Sequence, residues 1–244
     1  MSLLEVRGLS RRFGGLQAVN DLSFTLGDGE MLGLIGPNGA GKTTVFNLLS
    51  GFLAPDAGDI VFRGASVVGL RPHAICARGM ARTFQIVRPF PDLSVVENVR
   101  VGALARHPRQ REAGSKAVSI VERVGLGPKA HIAASRLTLA ERKRLELARA
   151  LATEPTLLLL DEVMAGLTPT ETETIVGLIR SIHASGISVL LIEHNMRAVM
   201  TLSHRIVVLS FGEKIAEGPP ADIVRHPKVI EAYLGEEYVG AAPA

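Results

Sequence analysis

GPNGAGKTT, residues Gly36 to Thr44, decides the reading of this 244-residue chain. It follows the apolar run Met31 to Ile35 and leads into a segment with helical spacing. That order of strand, loop and helix is the setting in which GxxxxGK[ST] forms a phosphate-binding P-loop. Gly36, Gly39 and Gly41 let the backbone turn tightly, so that successive N–H groups face an anion beside the positive end of the next helix. Asn38, Ala40 and Thr44 complete the nucleotide-facing set, and Lys42 is placed to bridge the outer phosphates. Thr43 offers a hydroxyl to Mg²⁺, an ion that keeps near-octahedral oxygen coordination while sharing phosphate charge. A glycine-rich turn with one surface lysine is the alternative, and it would not require the full motif between a strand and a helix.

Outward from the loop, alternating apolar residues predict an antiparallel sheet over the first thirty residues, with a turn at Gly14-Gly15. A further strand is expected at 57–62 and a short helix at Pro72 to Arg78. Ala81 to Gln85 leads into an irregular stretch holding Pro89 and Pro91, and from Ser94 to about Ala150 the pattern is helical. Within it Arg109, Gln110, Arg111, Glu112 and Gly114 read as a solvated loop, followed by a helix over Ala117 to Val124. Thr138 and Glu141 form a capping box ahead of RKRLELARALA. TLLLLD (156–161) is a continuous apolar run of the kind buried on both faces of a sheet, and ISVLLIE and RIVVLS follow with a helix before each. Strands alternating with helices predict an α/β fold with a parallel-sheet core, an antiparallel β subdomain at the front and an inserted α-helical subdomain. The expected division is 1–86 with 151–244 as the catalytic core, and 87–150 as the helical part.

Composition narrows the chemistry. Lys and Arg total 27 against 24 Asp and Glu, a formal charge of +3 without a long basic block, so no nucleic-acid partner is expected. The single cysteine, Cys76, excludes an internal disulfide and a multi-cysteine metal site, which suits a reducing compartment. The N-terminus shows no secretory signal, and apolar runs such as ISVLLI (187–192) are too short to span a bilayer. If the chain serves a membrane, it sits beside it.

Ligands of such sheets meet the carboxyl ends of the strands, where Asp161, Glu162 and His194 fall. Asp161 is placed as a magnesium carboxylate, or as the cap of the next turn. Glu162 is placed to orient or deprotonate a water attacking a γ-phosphate, and would otherwise be a surface glutamate. His194 is placed to sense γ-phosphate charge, or is structural. Phe13 offers a flat face for a base, against a role in core packing.

The P-loop, Gln85, the Thr138 helix start, LLLLDE (157–162) and His194 together resemble the ATP-binding cassette ATPases, in that order and over nearly the whole chain. The resemblance implies a P-loop NTPase fold of RecA-like type and ATP with Mg²⁺ as ligands. It also implies a head-to-tail pair of ATPase domains, identical or not, on the cytoplasmic face of a membrane. By it Phe13 is the adenine-stacking aromatic, Gln85 the Q-loop glutamine that joins Thr43 and Asp161 around the metal, Glu162 the catalytic glutamate and His194 the switch histidine. Ala165 to Thr168 matches the segment that crosses between monomers. More narrowly, RRFGGLQAVNDLSF, RTFQIVRPF, LLIEHNMRAVM and AYLGEE resemble the ATPase subunits of branched-chain amino acid uptake systems. That implies permease subunits as partners, a solute-binding protein acting indirectly, and Ile86 to Asn98 as the permease-facing surface.

The family signature LSGGQ is replaced by Leu137, Thr138, Leu139, Ala140 and Glu141. The lost glycines add bulk and Glu141 adds charge where the opposite ATP would lie, although Thr138 keeps the hydroxyl and Glu141 can turn back to its own helix cap. Slow hydrolysis at the site this segment completes, or a need for an asymmetric partner, is the expectation. Val163 is a smaller departure, standing where the family usually has proline. Other readings are an ATPase of a lipid or polysaccharide exporter and a binding-dominant regulatory subunit. A DNA-repair or translation cassette lacks support, because the chain has no coiled-coil insertion or tandem cassette. A GTPase is disfavoured by the absence of an NKxD motif.

Overall fold

The computed structural model describes residues 2–85 and 88–239. Ile86 and Val87, the start of the stretch assigned above to a permease, lie outside them. In chain order the elements begin with β1 (Ser2–Phe13), β2 (Leu16–Gly27), β3 (Met31–Ile35) and α1 (Lys42–Leu49). Next come β4 (Ala57–Phe62), β5 (Ala65–Ser66), α2 (Pro72–Ala77), β6 (Met80–Arg82), α3 (Val95–Ala103), α4 (Gln110–Arg123) and α5 (Leu139–Leu151). The chain continues through β7 (Leu157–Asp161), α6 (Pro169–Ala184), β8 (Ser188–Ile192), α7 (Met196–Leu202) and β9 (Arg205–Ser210). It ends with β10 (Glu213–Gly218), α8 (Pro220–Ile223) and α9 (Pro227–Val239). Two compact units result, one of residues 1–72 with 188–244 and one of residues 73–187. These limits differ from the division drawn from the sequence, because β6 and β7 pair with each other and fall with the helices of the second unit.

The first unit holds two sheets. β1 runs antiparallel to both β2 and β4, with Leu4, Val6, Leu9, Leu22, Phe24, Leu26, Ile60 and Phe62 buried, so the alternation in the sequence reports a half-buried antiparallel sheet. In the other, β3 lies between β8 and β9 in parallel, and β10 closes antiparallel on β9. Every residue of β3 and β8 is buried, which is why these strands carry no polar alternation. β10 has no counterpart in the sequence reading. Its turn is Phe211-Gly212, with φ of 47° and 82°, and a phenylalanine in the left-handed region hides a hairpin usually signalled by Asn-Gly.

In the second unit β6 and β7 pair in parallel from Met80↔Leu157 to Arg82↔Leu159. The polar stretch from Gln110 to Glu112 and Gly114, read as a loop, is instead the opening of α4. An Arg109–Glu112 pair at 2.9 Å supports its first turn, and nothing lies within 4 Å of a Cβ built at Gly114, so that glycine sits on a solvent face where it is tolerated. Among the described residues, capping boxes start three helices: Ser94 with Glu97 at α3, Thr138 with Glu141 at α5 and Thr168 with Glu171 at α6. Among the described residues no helix is long and apolar enough to cross a membrane.

The α6 cap makes its contribution separable. Replacing Thr168 by alanine removes the acceptor for the Glu171 N–H, and the expected loss is about 1 kcal/mol of stability, read from urea unfolding.

Candidate functional site

The P-loop belongs to the first unit and is fixed from outside itself. The Gly212 N–H donates to the Ala40 carbonyl at 3.1 Å, and the Asn20 N–H donates to the Gly212 carbonyl at 2.9 Å. Two of its glycines are required by close approach. A Cβ at Gly36 would lie 2.1 Å from the Leu209 carbonyl oxygen, and one at Gly41 2.3 Å from that of Ala18. Both also have positive φ, 152° and 98°. Lys42 is buried and its Nζ donates to the carbonyls of Gly36 at 2.6 Å and Pro37 at 2.7 Å, so the ammonium is held inside the loop. Gly41 caps α1 with no side-chain acceptor, and the first turn has no acidic residue. The amides of that turn and the ammonium therefore make a concentrated positive site, which suits an anion. Thr43 is exposed and Thr44 half-buried.

A cavity of about 720 Å³ flanks the loop, lined by Pro37, Asn38, Gly39 and Ala40 with Phe211 and Lys228. Phe13 closes β1 and is 41% exposed, which removes the core-packing reading. The Arg11 guanidinium stands 5.0 Å from its ring centroid and is itself held by Asp56 Oδ1 at 2.7 Å. His194 is exposed just beyond β8.

The second unit carries the acidic pair. Asp161 is 2% exposed, and its carboxylate accepts from Arg82 Nη2 at 2.8 Å, while its N–H donates to Thr83 Oγ1 at 3.2 Å. Arg82 escaped the sequence reading because a lone arginine at the end of a three-residue strand gives no pattern. Glu162 follows with φ of 48°, a conformation that a non-glycine residue holds only when its surroundings impose it. Gln85 Nε2 donates to Glu162 Oε2 at 2.6 Å. A carboxylate only accepts, so the amide presents its NH₂ there and keeps Oε1 as a hard oxygen donor suited to a cation. Lys143 Nζ donates to the carbonyls of Gln85 at 3.2 Å and Glu162 at 3.0 Å.

At the head of α5 the Thr138 hydroxyl accepts from the Glu141 N–H, and Glu141 Oε2 accepts in return from the Thr138 N–H at 3.0 Å. Lys129 Nζ lies 2.5 Å from Glu141 Oε1. Burial pushes the Glu141 carboxyl up, but Lys129 and the Thr138 N–H outweigh it and hold the group below the ordinary glutamate value. The charge that replaces the signature glutamine is thus turned to its own helix and paired. Farther along α5, Glu146 is buried. It accepts from the Phe84 N–H and from Arg149 at 3.0 Å, and Arg149 also donates to the Arg88 carbonyl. Burial dominates and raises its pKa above the ordinary value. Asn98, fully buried, organises the next stretch: Oδ1 accepts from the Phe90 N–H, and Nδ2 donates to the carbonyls of Phe90, Leu93 and Ser94. Phe90 stays exposed, with the Arg149 guanidinium 5.3 Å from its ring.

The sequence matches the family described as ABC transporter over residues 19–165. Residues 213–239 match the family described as Branched-chain amino acid ATP-binding cassette transporter. The chain is 44% identical to the High-affinity branched-chain amino acid transport ATP-binding protein LivG of Salmonella typhimurium, over 96% of this chain and 98% of that one. It is 42% identical to BraF of Pseudomonas aeruginosa, which has the same description, with the same coverage. Among solved structures, the ADP conformation of MJ1267, an ATP-binding cassette of an ABC transporter, superposes with a TM-score of 0.88 at 29% identity, covering 96% of this chain and 99% of that one.

Glu146 gives the chain a pH signature. The folded chain holds a proton on this carboxyl to higher pH than the unfolded chain does. Its contribution is therefore complete below the ordinary glutamate value of 4.5 and is lost as pH rises through the raised folded value. In Glu146→Gln an amide oxygen can still accept from Phe84 without that penalty. The melting-temperature difference between variant and parent is expected to shift in favour of the variant as pH is raised from 4 toward neutrality, as measured by thermal unfolding across that range.

Proposed function

The chain belongs to the ABC transporter ATP-binding proteins and is an ATPase, and from that premise we propose that it powers an importer of branched-chain amino acids. The observation that carries the substrate class is the tail. Residues 213–239 match the family of branched-chain amino acid ATP-binding cassette transporters, and relatives 42–44% identical over nearly the whole chain are branched-chain amino acid transport ATP-binding proteins. The exporter reading has less support, since the Lipopolysaccharide export system ATP-binding protein LptB of Escherichia coli is 35% identical over 98% of this chain.

In the proposed reaction the loop amides and Lys42 bind the phosphates of ATP, with Asn38, Gly39, Ala40 and Thr44 shaping the cradle and Phe13 stacking on the adenine. Thr43, Gln85 and Asp161 supply a hydroxyl, an amide oxygen and a carboxylate, a donor set that fits Mg²⁺, and Arg82 orients the carboxylate. Bound there, the ion would neutralise charge on the phosphates. Glu162 takes a proton from the attacking water as its oxygen bonds to the γ-phosphorus and the β–γ bridging bond breaks. Gln85 aims that carboxylate, and His194 donates to the γ-phosphate. Thr138 faces the ATP of a second ATPase subunit. Permease subunits dock on the stretch 86–98, within which Asn98 holds the backbone at Phe90 and Phe90 is presented, and a solute-binding protein acts through them. The subunit then sits on the cytoplasmic face of the membrane.

Glu162→Gln is expected to abolish ATP turnover while leaving ATP binding intact, read by phosphate release beside nucleotide titration; unchanged turnover would remove Glu162 from the reaction. Because Leu139 and Ala140 fill the glycine positions of the signature, hydrolysis by this chain alone is expected to be slow and to rise when a non-identical ATPase partner is added. Equal, brisk rates in the two preparations would contradict that.

A further inference from the structure

We propose that Lys143 is a positioning residue for ATP hydrolysis, fastening Gln85 and Glu162 into one unit through their main-chain carbonyls, so that helix α5 sets the aim of the Glu162 carboxylate. The inference rests on the reading of Glu162 as the group that activates water.

Gln85 and Glu162 are joined twice. Their side chains meet through the 2.6 Å bond from Nε2 to Oε2. Their backbones meet through Lys143, whose Nζ reaches the Glu162 carbonyl at 3.0 Å and the Gln85 carbonyl at 3.2 Å. Lys143 is 3% exposed. An ammonium withdrawn from water is costly unless oxygen acceptors replace its hydration, and here the backbone carbonyls of Gln85 and Glu162 contribute to that. These are charge-assisted bonds, stronger than amide contacts of the same length.

The backbone of Glu162 explains why such a fastening matters. Its φ of 48° is left-handed, and a non-glycine residue relaxes from that region unless held. Rotation about φ carries the carbonyl and the side chain together. Holding the carbonyl therefore restrains the direction in which the side chain leaves the backbone, and the bond from Gln85 Nε2 holds the carboxylate at its far end. The same carbonyl also accepts from the Ala165 N–H at 3.2 Å, which closes the turn after β7. Lys143 lies in the second turn of α5, behind the Thr138 cap at the signature segment. A displacement of that helix is consequently transmitted to the Glu162 main chain through one side chain, with the Gln85 segment carried along.

The test compares Lys143→Met, Lys143→Arg and Glu162→Gln in the full-length chain. It uses steady-state phosphate release, equilibrium binding of ATP and thermal unfolding. The expected result for Lys143→Met is a fall in kcat of about 10- to 100-fold with KM and ATP affinity near those of the parent, the signature of a misaimed group rather than a lost binding contact. Lys143→Arg, which keeps a cation able to reach two carbonyls, is expected to recover most of the rate. Parent-like kcat in Lys143→Met beside an inactive Glu162→Gln overturns the role of Lys143 alone. Full turnover in Glu162→Gln overturns the underlying reading instead. Equal losses in the Met and Arg variants with a lowered melting temperature, or failure of both to fold, assign Lys143 to the fold and overturn the proposal.

Discussion

A buried ammonium needs oxygen around it, and at Lys42 that oxygen comes from the loop the lysine itself follows. With Nζ against the carbonyls of Gly36 and Pro37, the positive charge is confined beside the uncapped first turn of α1. The geometry is possible only because the loop can press against its surroundings. Gly36 runs against the Leu209 carbonyl and Gly41 against that of Ala18, where a methyl group would collide with backbone. The strands that provide those carbonyls, and the Phe211-Gly212 turn that bonds to Ala40, thus serve to hold one small volume of positive potential.

The second unit uses the opposite charge by a related rule. Asp161 is buried on Arg82, and Glu162 is held in an unfavourable backbone conformation with its carboxylate on the Gln85 amide. Neither acidic group is left to find its own orientation. Strain at Glu162 persists because neighbours on both sides impose it, which is the usual condition for a strained residue in a working site. The result is a carboxylate whose direction is already set, so that the reaction proposed for it would need little reorganisation.

Much of this was legible in the chain. The P-loop, the apolar strands at 31–35, 157–161 and 188–192, and the helix starts at Thr138 and Thr168 were readable because local chemistry and tertiary structure ask for the same residues there. The helix opening at Gln110 was misread because nothing apolar marks its first turn, which is stabilised instead by a surface ion pair. β10 was missed because its turn uses Phe211, 91% exposed and in the left-handed region, where sequence rules expect a small or polar residue. Arg82 and Lys143 were invisible for a different reason. Their meaning lies in contacts with the Asp161 carboxylate, 79 residues away, and with the carbonyls of Gln85 and Glu162, 58 and 19 residues away, and no local pattern encodes such acceptors.

The departure at the signature illustrates how structure changes the weight of a sequence difference. By residue type alone, glutamate at 141 places a negative charge where a second ATP would approach. In the folded chain its carboxylate is committed to the Thr138 N–H and to Lys129, so the charge is directed into the helix start and largely neutralised. What remains is shape: Leu139 is an exposed leucine where the family has glycine, and Ala140 adds a further methyl group. An electrostatic fault would be screened by salt over distances of about 10 Å, whereas a steric one is indifferent to ionic strength and yields only to a partner whose surface leaves room. The physical case for an asymmetric partner therefore rests on the volume of Leu139 rather than on the charge of Glu141.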